Sequence, residues 1–170
     1  MNAEPLLGCI AAALYRVRLE AVLIGNAAAA LHGAPVTTMD FDFMFRRSPA
    51  NVHKLKEFAG LLLDAVILRP YYPTSDLYRV VSDEMGLQVD FLPTVHGIRS
   101  FESLRSRAVF VTVGGNTIQV AALEDIVRSK RAAGRPKDNA VLTILDATLH
   151  AHTQAGHHSG STTRGNKGGK

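Results

Sequence analysis

The sequence predicts an α+β fold, a mixed and mainly antiparallel sheet flanked by helices. Three observations point there. Segments with apolar residues at helical spacing are interspersed with short segments of strand character. Two turns, Asp83-Glu84-Met85-Gly86 and Gly114-Gly115-Asn116, each sit between apolar runs, as hairpin turns do. The chain has 170 residues, 46% of them hydrophobic, enough to bury one core. No internal repeat is visible.

In chain order, residues 4–19 have the spacing of an amphipathic helix. Cys9 falls within its apolar pattern and reads as a small core residue. As the single cysteine, it excludes an internal disulfide and a cysteine-based metal cage. Residues 21–24 form a short buried strand that stops at Gly25-Asn26. Residues 27–32 make a short alanine-rich helix ended by Gly33, and Pro35 to Thr38 connect it onward. Residues 40–45 alternate acid and apolar side chains with the strand period of two, so Met39, Phe41 and Phe43 enter the core. A helix over 49–63 follows, capped by Ser48. Residues 65–68, 77–82 and 87–92 are strands, and 98–107 is a helix with Ser100 as its cap. Strands 109–113 and 117–120 flank the second turn. The helix over 123–133 stops at Gly134. Pro136 cannot continue it, and residues 137–150 supply a last helix. From Thr153 the chain is rich in Gly, Ser, Thr, His and Lys without apolar period, so residues 1–152 are expected to form the domain and 153–170 a disordered tail. The histidines there, with His150 and His152, lack the fixed spacing of metal ligands and read as solvated.

The net charge is +4, but Arg164, Lys167 and Lys170 belong to the tail. Without them 16 basic side chains face 15 acidic ones, so the body is nearly neutral and any attraction to nucleic acid is local or tail-borne. No apolar run reaches the roughly 18–20 residues needed to cross a bilayer. The apolar stretch Leu6 to Leu14 lacks a basic leader, carries Glu4 before it and runs into Arg16, Arg18 and Glu20, unlike a signal peptide. A cytoplasmic protein is expected.

The chemistry centres on Asp40-Phe41-Asp42. Two carboxylates on one strand face repel each other unless water or a cation compensates them. A hard divalent ion takes one or two carboxylates together with phosphate oxygens, and paired ions can clamp an in-line phosphoryl displacement. Asp90, between core-facing Val89 and Phe91, repeats the pattern on a second strand and would make a third carboxylate, either ligand or base. Before them, Leu23-Ile24-Gly25-Asn26-Ala27 runs from strand through glycine into helix, and glycine lets a phosphate approach the backbone closely. His32 and His96 stand singly beside turns and read as structural.

Strand, Gly25-Asn26, short helix, the stretch from His32 to Thr38, Asp40-Phe41-Asp42 and the later Asp90 together resemble the nucleotidyltransferase superfamily that includes DNA polymerase beta. The resemblance is to small prokaryotic members related to abortive-infection toxin nucleotidyltransferases. The segment Leu123 to Asp138 is similar to their C-terminal helical element, and the likeness spans roughly residues 20–145. It implies a minimal nucleotidyltransferase fold with C-terminal helices. It also implies transfer of a nucleoside monophosphate from a nucleoside triphosphate such as ATP to an acceptor hydroxyl on tRNA, a protein or a small molecule. Under it Asp40, Asp42 and Asp90 are catalytic and hold Mg²⁺ or Mn²⁺, Gly25 and Asn26 touch the triphosphate, and Lys130 neutralises phosphate charge, with Arg135 and Asp138 nearby. An antitoxin is an implied partner. Two residues depart from the pattern: Asn26 replaces the usual Ser or Gly, and Val36 stands where related members often carry Arg. They motivate the alternative, a non-catalytic binding or scaffold protein on the same fold.

Overall fold

The structure, a computed structural model, describes residues 3–38 and 40–158. Met39 and residues 159–170 of the expected tail lie outside them. In chain order the elements are α1 (Ala3–Val17), β1 (Ala21–Ile24), α2 (Gly25–Leu31), β2 (Asp40–Phe45), α3 (Pro49–Gly60), β3 (Val66–Leu68), β4 (Tyr78–Ser82), β5 (Leu87–Leu92), α4 (Phe101–Arg107), β6 (Val109–Val113), β7 (Asn116–Val120), α5 (Leu123–Ala133) and α6 (Pro136–His158). The fold is α+β. The strands form one seven-stranded sheet in the order β3-β4-β5-β2-β1-β7-β6. The β2–β5 and β1–β7 pairs are parallel, and every other neighbouring pair is antiparallel. Among the described residues no helix is long and apolar enough to cross a membrane.

Period-two alternation divides the centre of the sheet into two unlike faces. Phe41, Phe43, Phe45, Val80, Val89 and Phe91 point to one face and are fully or almost fully buried. There Phe43 stacks on Phe91 at 5.5 Å between centroids, and Phe58 of α3 meets Phe91 edge-on at 5.3 Å. Burying each such side chain contributes about 1.5–3 kcal/mol, which makes this face the structural anchor of the fold. Asp40, Asp42 and Asp90 point to the other face, where α5 and α6 pack on each other and border a cleft.

Both predicted serine caps are present: Ser48 accepts from the Asn51 amide at 3.2 Å and Ser100 from the Ser103 amide at 3.1 Å. Gly134 ends α5 in the left-handed conformation at φ +60°, as its position after the last apolar residue predicts.

Two expectations need correction. Cys9 is exposed rather than buried. The buried stripe of α1 runs through Leu7, Ile10, Ala11 and Leu14, and Cys9 lies with exposed Pro5, Ala12 and Arg16 on the solvent stripe. The last helix also continues past Thr153 to His158. Leu145 anchors it in the core, and extending an established helix costs far less than starting one. Thr153 then bonds back to the Leu149 carbonyl at 3.0 Å.

Asn51, buried on α3, ties the start of β1 to the end of β2. Its Oδ1 accepts from the Glu20 amide at 3.0 Å, and its Nδ2 donates to the Glu20 and Arg46 carbonyls at 3.1 and 2.7 Å. The two carbonyls keep backbone partners, since the Arg46 amide donates to Glu20 and the Ser48 amide to Arg46. Alanine therefore leaves only the Glu20 amide unpaired, and Asn51→Ala is expected to lower unfolding free energy by about 1–3 kcal/mol in a urea titration. A loss below about 1 kcal/mol would mean that water substitutes for the amide.

Candidate active site

Strand register brings the acidic residues together. Asp42 on β2 is flanked by Ile24 of antiparallel β1 and Asp90 of parallel β5. Asp40 lies two residues earlier on the same face. Asp42 is half-buried, and burial, then Asp90, then Asp40 push its carboxyl up to about 6 from an ordinary 3.8, while Lys130 and Arg135 pull the other way. Among the described residues no side chain donates a hydrogen bond to the Asp40 or Asp42 carboxylate.

Asp90 is held differently. Arg79, its cross-strand partner on β4, donates from Nε to Oδ1 at 2.8 Å and from Nη2 to Oδ2 at 2.7 Å. That hydrogen bonding, offset in part by burial, raises the guanidinium above its ordinary range. Arg79 was not among the sequence-predicted site residues. The hairpin register could have found it, because a turn over residues 83–86 pairs 82 with 87 and therefore 79 with 90.

Gly25 has a structural role besides the one its place in the motif suggests. Its φ of +69° turns the chain straight from β1 into α2, so the helix starts two residues earlier than predicted. A Cβ there would sit 2.9 Å from Asp42 Oδ2. Glycine therefore makes room for the Asp42 carboxylate as well as leaving the backbone open. Beside it, the Oδ1 of Asn26 is buried without a hydrogen-bond partner among the described residues.

The facing wall comes from α5 and α6. Lys130 is 9% exposed, far from a solvated helix lysine, and its Nζ donates to Asp138 Oδ1 at 3.2 Å. Arg135 Nε donates to Asp138 Oδ2 at 2.6 Å. Burial alone would raise Asp138, but the bonds from Arg135 and Lys130 outweigh it and hold the carboxyl below its usual range. Two cations thus share one acid, and Lys137, which also lines the cleft, adds a third positive charge. Asp125, 1% exposed, is clamped by Arg107 and Arg128 at the same wall.

All six predicted site residues, Gly25, Asn26, Asp40, Asp42, Asp90 and Lys130, line one cleft of about 610 Å³. His32 is structural as expected, with Nε2 hydrogen-bonded to the Ala121 carbonyl at 2.8 Å. His96 is instead exposed on the cleft lining and has no such bond. Tyr71 and Ser75, between β3 and β4, form a neutral rim that the sequence did not single out.

Among the described residues no three His, Cys, Asp or Glu side chains are grouped as an ion cage. The donor chemistry nevertheless fits a hard divalent cation at Asp40 and Asp42. They are like-charged oxygen ligands that accept no side-chain hydrogen bond among the described residues, and such an ion needs only one or two carboxylates when phosphate and water complete its shell. Arg79 engages each oxygen of Asp90 once, and a carboxylate offers about four acceptor sites. Asp90 keeps capacity for a ligand or a proton.

No family model and no curated protein sequence matches the chain. Solved structures do. A candidate nucleotidyltransferase from Thermotoga maritima, TM1012, superposes with a TM-score of 0.59 at 19% identity, covering 82% of this chain and 89% of that one. ANT(2″)-Ia in complex with adenylyl-2″-tobramycin gives a TM-score of 0.60 at 14% identity, over 90% and 92% of the two chains. An antigenic nucleotidyltransferase-like protein from Paracoccidioides brasiliensis gives 0.55 at 17% identity, over 87% and 75%. At these identities the likeness establishes a shared fold, that of nucleotidyltransferases.

Two outcomes follow from this geometry. Without divalent ions, the Asp42 charge opposes folding above pH 6, and the opposition is gone below 3.8, where the carboxyl is protonated in folded and unfolded chains alike. Asp42→Asn is therefore expected to raise Tm at pH 8, by on the order of 1–3 kcal/mol of stability, with the gain shrinking as pH falls through 6 and vanishing near 4. A gain independent of pH would refute the electrostatic origin. Gly25→Ala is expected to cost about 1–2 kcal/mol for its left-handed backbone alone, before the clash with Asp42, measured by thermal melting.

Proposed function

We propose that this chain is a metal-dependent nucleotidyltransferase that moves a nucleoside monophosphate from a nucleoside triphosphate to an acceptor hydroxyl. The observation that carries the proposal is the bipolar cleft. A floor of Asp40, Asp42 and Asp90, with Arg79 paired to Asp90, faces a wall where Lys130 and Arg135 share Asp138, Arg107 and Arg128 share Asp125, and Lys137 adds a further cation. A polyanionic triphosphate complements such a wall, and a cation at its reacting end complements such a floor. The shared fold with ANT(2″)-Ia, whose structure holds adenylyl-2″-tobramycin, supports the same chemistry.

Asp40 and Asp42 would hold Mg²⁺ or Mn²⁺, which when bound supplies charge neutralisation and Lewis-acid polarisation of phosphate oxygens. Lys130 and Arg135 neutralise the phosphates that leave as pyrophosphate, and Asp138 keeps both cations in place. Gly25 leaves the backbone at the start of α2 accessible, and Asn26 offers amide hydrogens to a phosphate oxygen. Asp90, oriented by Arg79, borders the acceptor side and can take the proton of the attacking hydroxyl. Tyr71 and Ser75 face the acceptor. ATP as donor, a tRNA, protein or small-molecule acceptor, and an antitoxin partner are the further expectations of this reading.

The test incubates the full chain with labelled NTPs, Mg²⁺ or Mn²⁺ and RNA, protein and small-molecule acceptors. Transfer is expected to require the metal, to stop with a chelator and to fall on the order of 10³-fold in Asp42→Ala. Transfer undiminished in that variant would place the chemistry elsewhere. Lys130→Met is expected to weaken metal-dependent NTP binding about tenfold by titration calorimetry. No transfer to any acceptor, together with no metal binding at the three aspartates even with nucleotide present, would favour the non-catalytic binding or scaffold protein.

A further inference from the structure

A second cavity of about 450 Å³ opens beside the cleft, and both are lined by Thr94 and Ile98. It lies at the far end of the β2–β5 pair. Arg46, at its wall, is four residues beyond Asp42, about 13 Å along an extended strand. Two short sequences face each other across it: Arg46-Arg47-Ser48 leading into α3 and Arg99-Ser100 leading into α4.

The charges there do not balance. Arg46 and Arg105 pair with Glu20 and Glu102, and Arg46 also stacks over the Phe101 ring. Arg47 and Arg69 share one acid, Asp76, at 2.8 and 2.9 Å. Arg99 is exposed and makes no ion pair or hydrogen bond among the described residues. Five arginines thus meet three carboxylates. The serines are also oriented for use: Oγ of Ser48 and of Ser100 each accept a backbone amide hydrogen, which leaves each hydroxyl hydrogen free to donate. In the cavity's own lining, the guanidinium groups of Arg46, Arg47 and Arg99 and two hydroxyl donors face one carboxylate, Glu102, which Arg46 already pairs, and such a surplus of donors is what a phosphate group selects.

We propose that this second cavity binds a phosphate group, carried by the acceptor whose hydroxyl reaches Asp90 in the adjoining cleft. The phosphate site stands on the cavity itself, whereas its assignment to the acceptor rests on nucleotidyl transfer in the cleft. A free phosphate ion is the other source of the same chemistry.

The experiment is an NMR titration of the full chain at constant ionic strength. Inorganic phosphate is expected to shift the amides of Arg47, Ser48, Arg99 and Ser100 saturably. Arg99→Ala is expected to weaken that binding about tenfold while leaving Tm unchanged, because Arg99 has no partner to lose. Non-saturating shifts, equal affinity in the variant, or shifts confined to Lys130 and Arg135 would overturn the site. A short single-stranded oligonucleotide with a free 3′-hydroxyl carries phosphates at fixed distances from that hydroxyl. It is expected to displace the phosphate and to shift Asp42 and Asp90 together with the cavity. Phosphate binding that the oligonucleotide does not contest would overturn the acceptor-borne source and leave a free-anion site. A non-hydrolysable ATP analogue with Mg²⁺, read at Asn26 and Lys130, tests the nucleotide reading separately, so failure of either reading is identified on its own.

Discussion

The site is organised around one costly placement: the half-buried carboxylate of Asp42 beside two like charges. Its rise to about 6 corresponds to roughly 3 kcal/mol opposing the ionised form, a large fraction of a domain's total stability. The strand tolerates this because its opposite face is so apolar. Phe41, Phe43 and Phe45 alternate with the acids and are essentially fully buried, and together outweigh the penalty. The acid cannot be relieved by shifting register, since a one-residue slip would bring the phenylalanines to the cleft and the aspartates into the core. Nor can it move toward β1 without meeting the backbone at Gly25, the one residue type that leaves it space.

The neighbouring charges are treated unequally, and that inequality gives the cleft its polarity. Asp90 is forked by Arg79, and Asp138 and Asp125 each hold two cations. Of the carboxylates that line the cleft, Asp40 and Asp42 alone lack a donor among the described residues. In a cleft whose other acids are paired, charge left uncompensated at one point, opposite surplus cations at another, marks a place where a ligand completes the electrostatics. Asn26 Oδ1, also in the cleft, is a further buried group without a partner among the described residues.

Much of this was legible in the sequence because it depends on short-range rules. Period two assigned the faces of β2 and β5, serine caps and glycine stops marked helix ends, and hairpin turns fixed antiparallel neighbours. What escaped depends on how segments distant in sequence pack. The pairing of β2 with β5 in parallel, which sets Asp42 beside Asp90, follows from no local signal. The burial of Lys130 required α6 to fold back on α5 and bring Asp138 over it. Cys9 was misplaced because α1 is apolar almost all round, so its buried stripe could be told only from what packs on it. Arg79 was the avoidable omission, since the four-residue turn already determined its register with Asp90.

The two departures from the family pattern take on physical meaning in this arrangement. Val36, where related members often carry arginine, is partly buried and packs against the core, so this connection contributes contact rather than charge. Positive charge in the cleft is then concentrated on α5, α6 and the link between them, in Lys130, Lys137 and Arg135. That one-sided supply imposes a direction. On the proposed function, a triphosphate drawn to the helical wall would present its α-phosphate toward Asp42 and leave the side of Asp90, Arg79 and Tyr71 for the acceptor. On that side lie cationic and neutral groups rather than surplus acid. A polycationic acceptor would gain little there, whereas an anionic or neutral hydroxyl compound would meet complementary donors. On that proposal, the separation of donor and acceptor sides would follow from which carboxylates the fold neutralises and which it leaves bare.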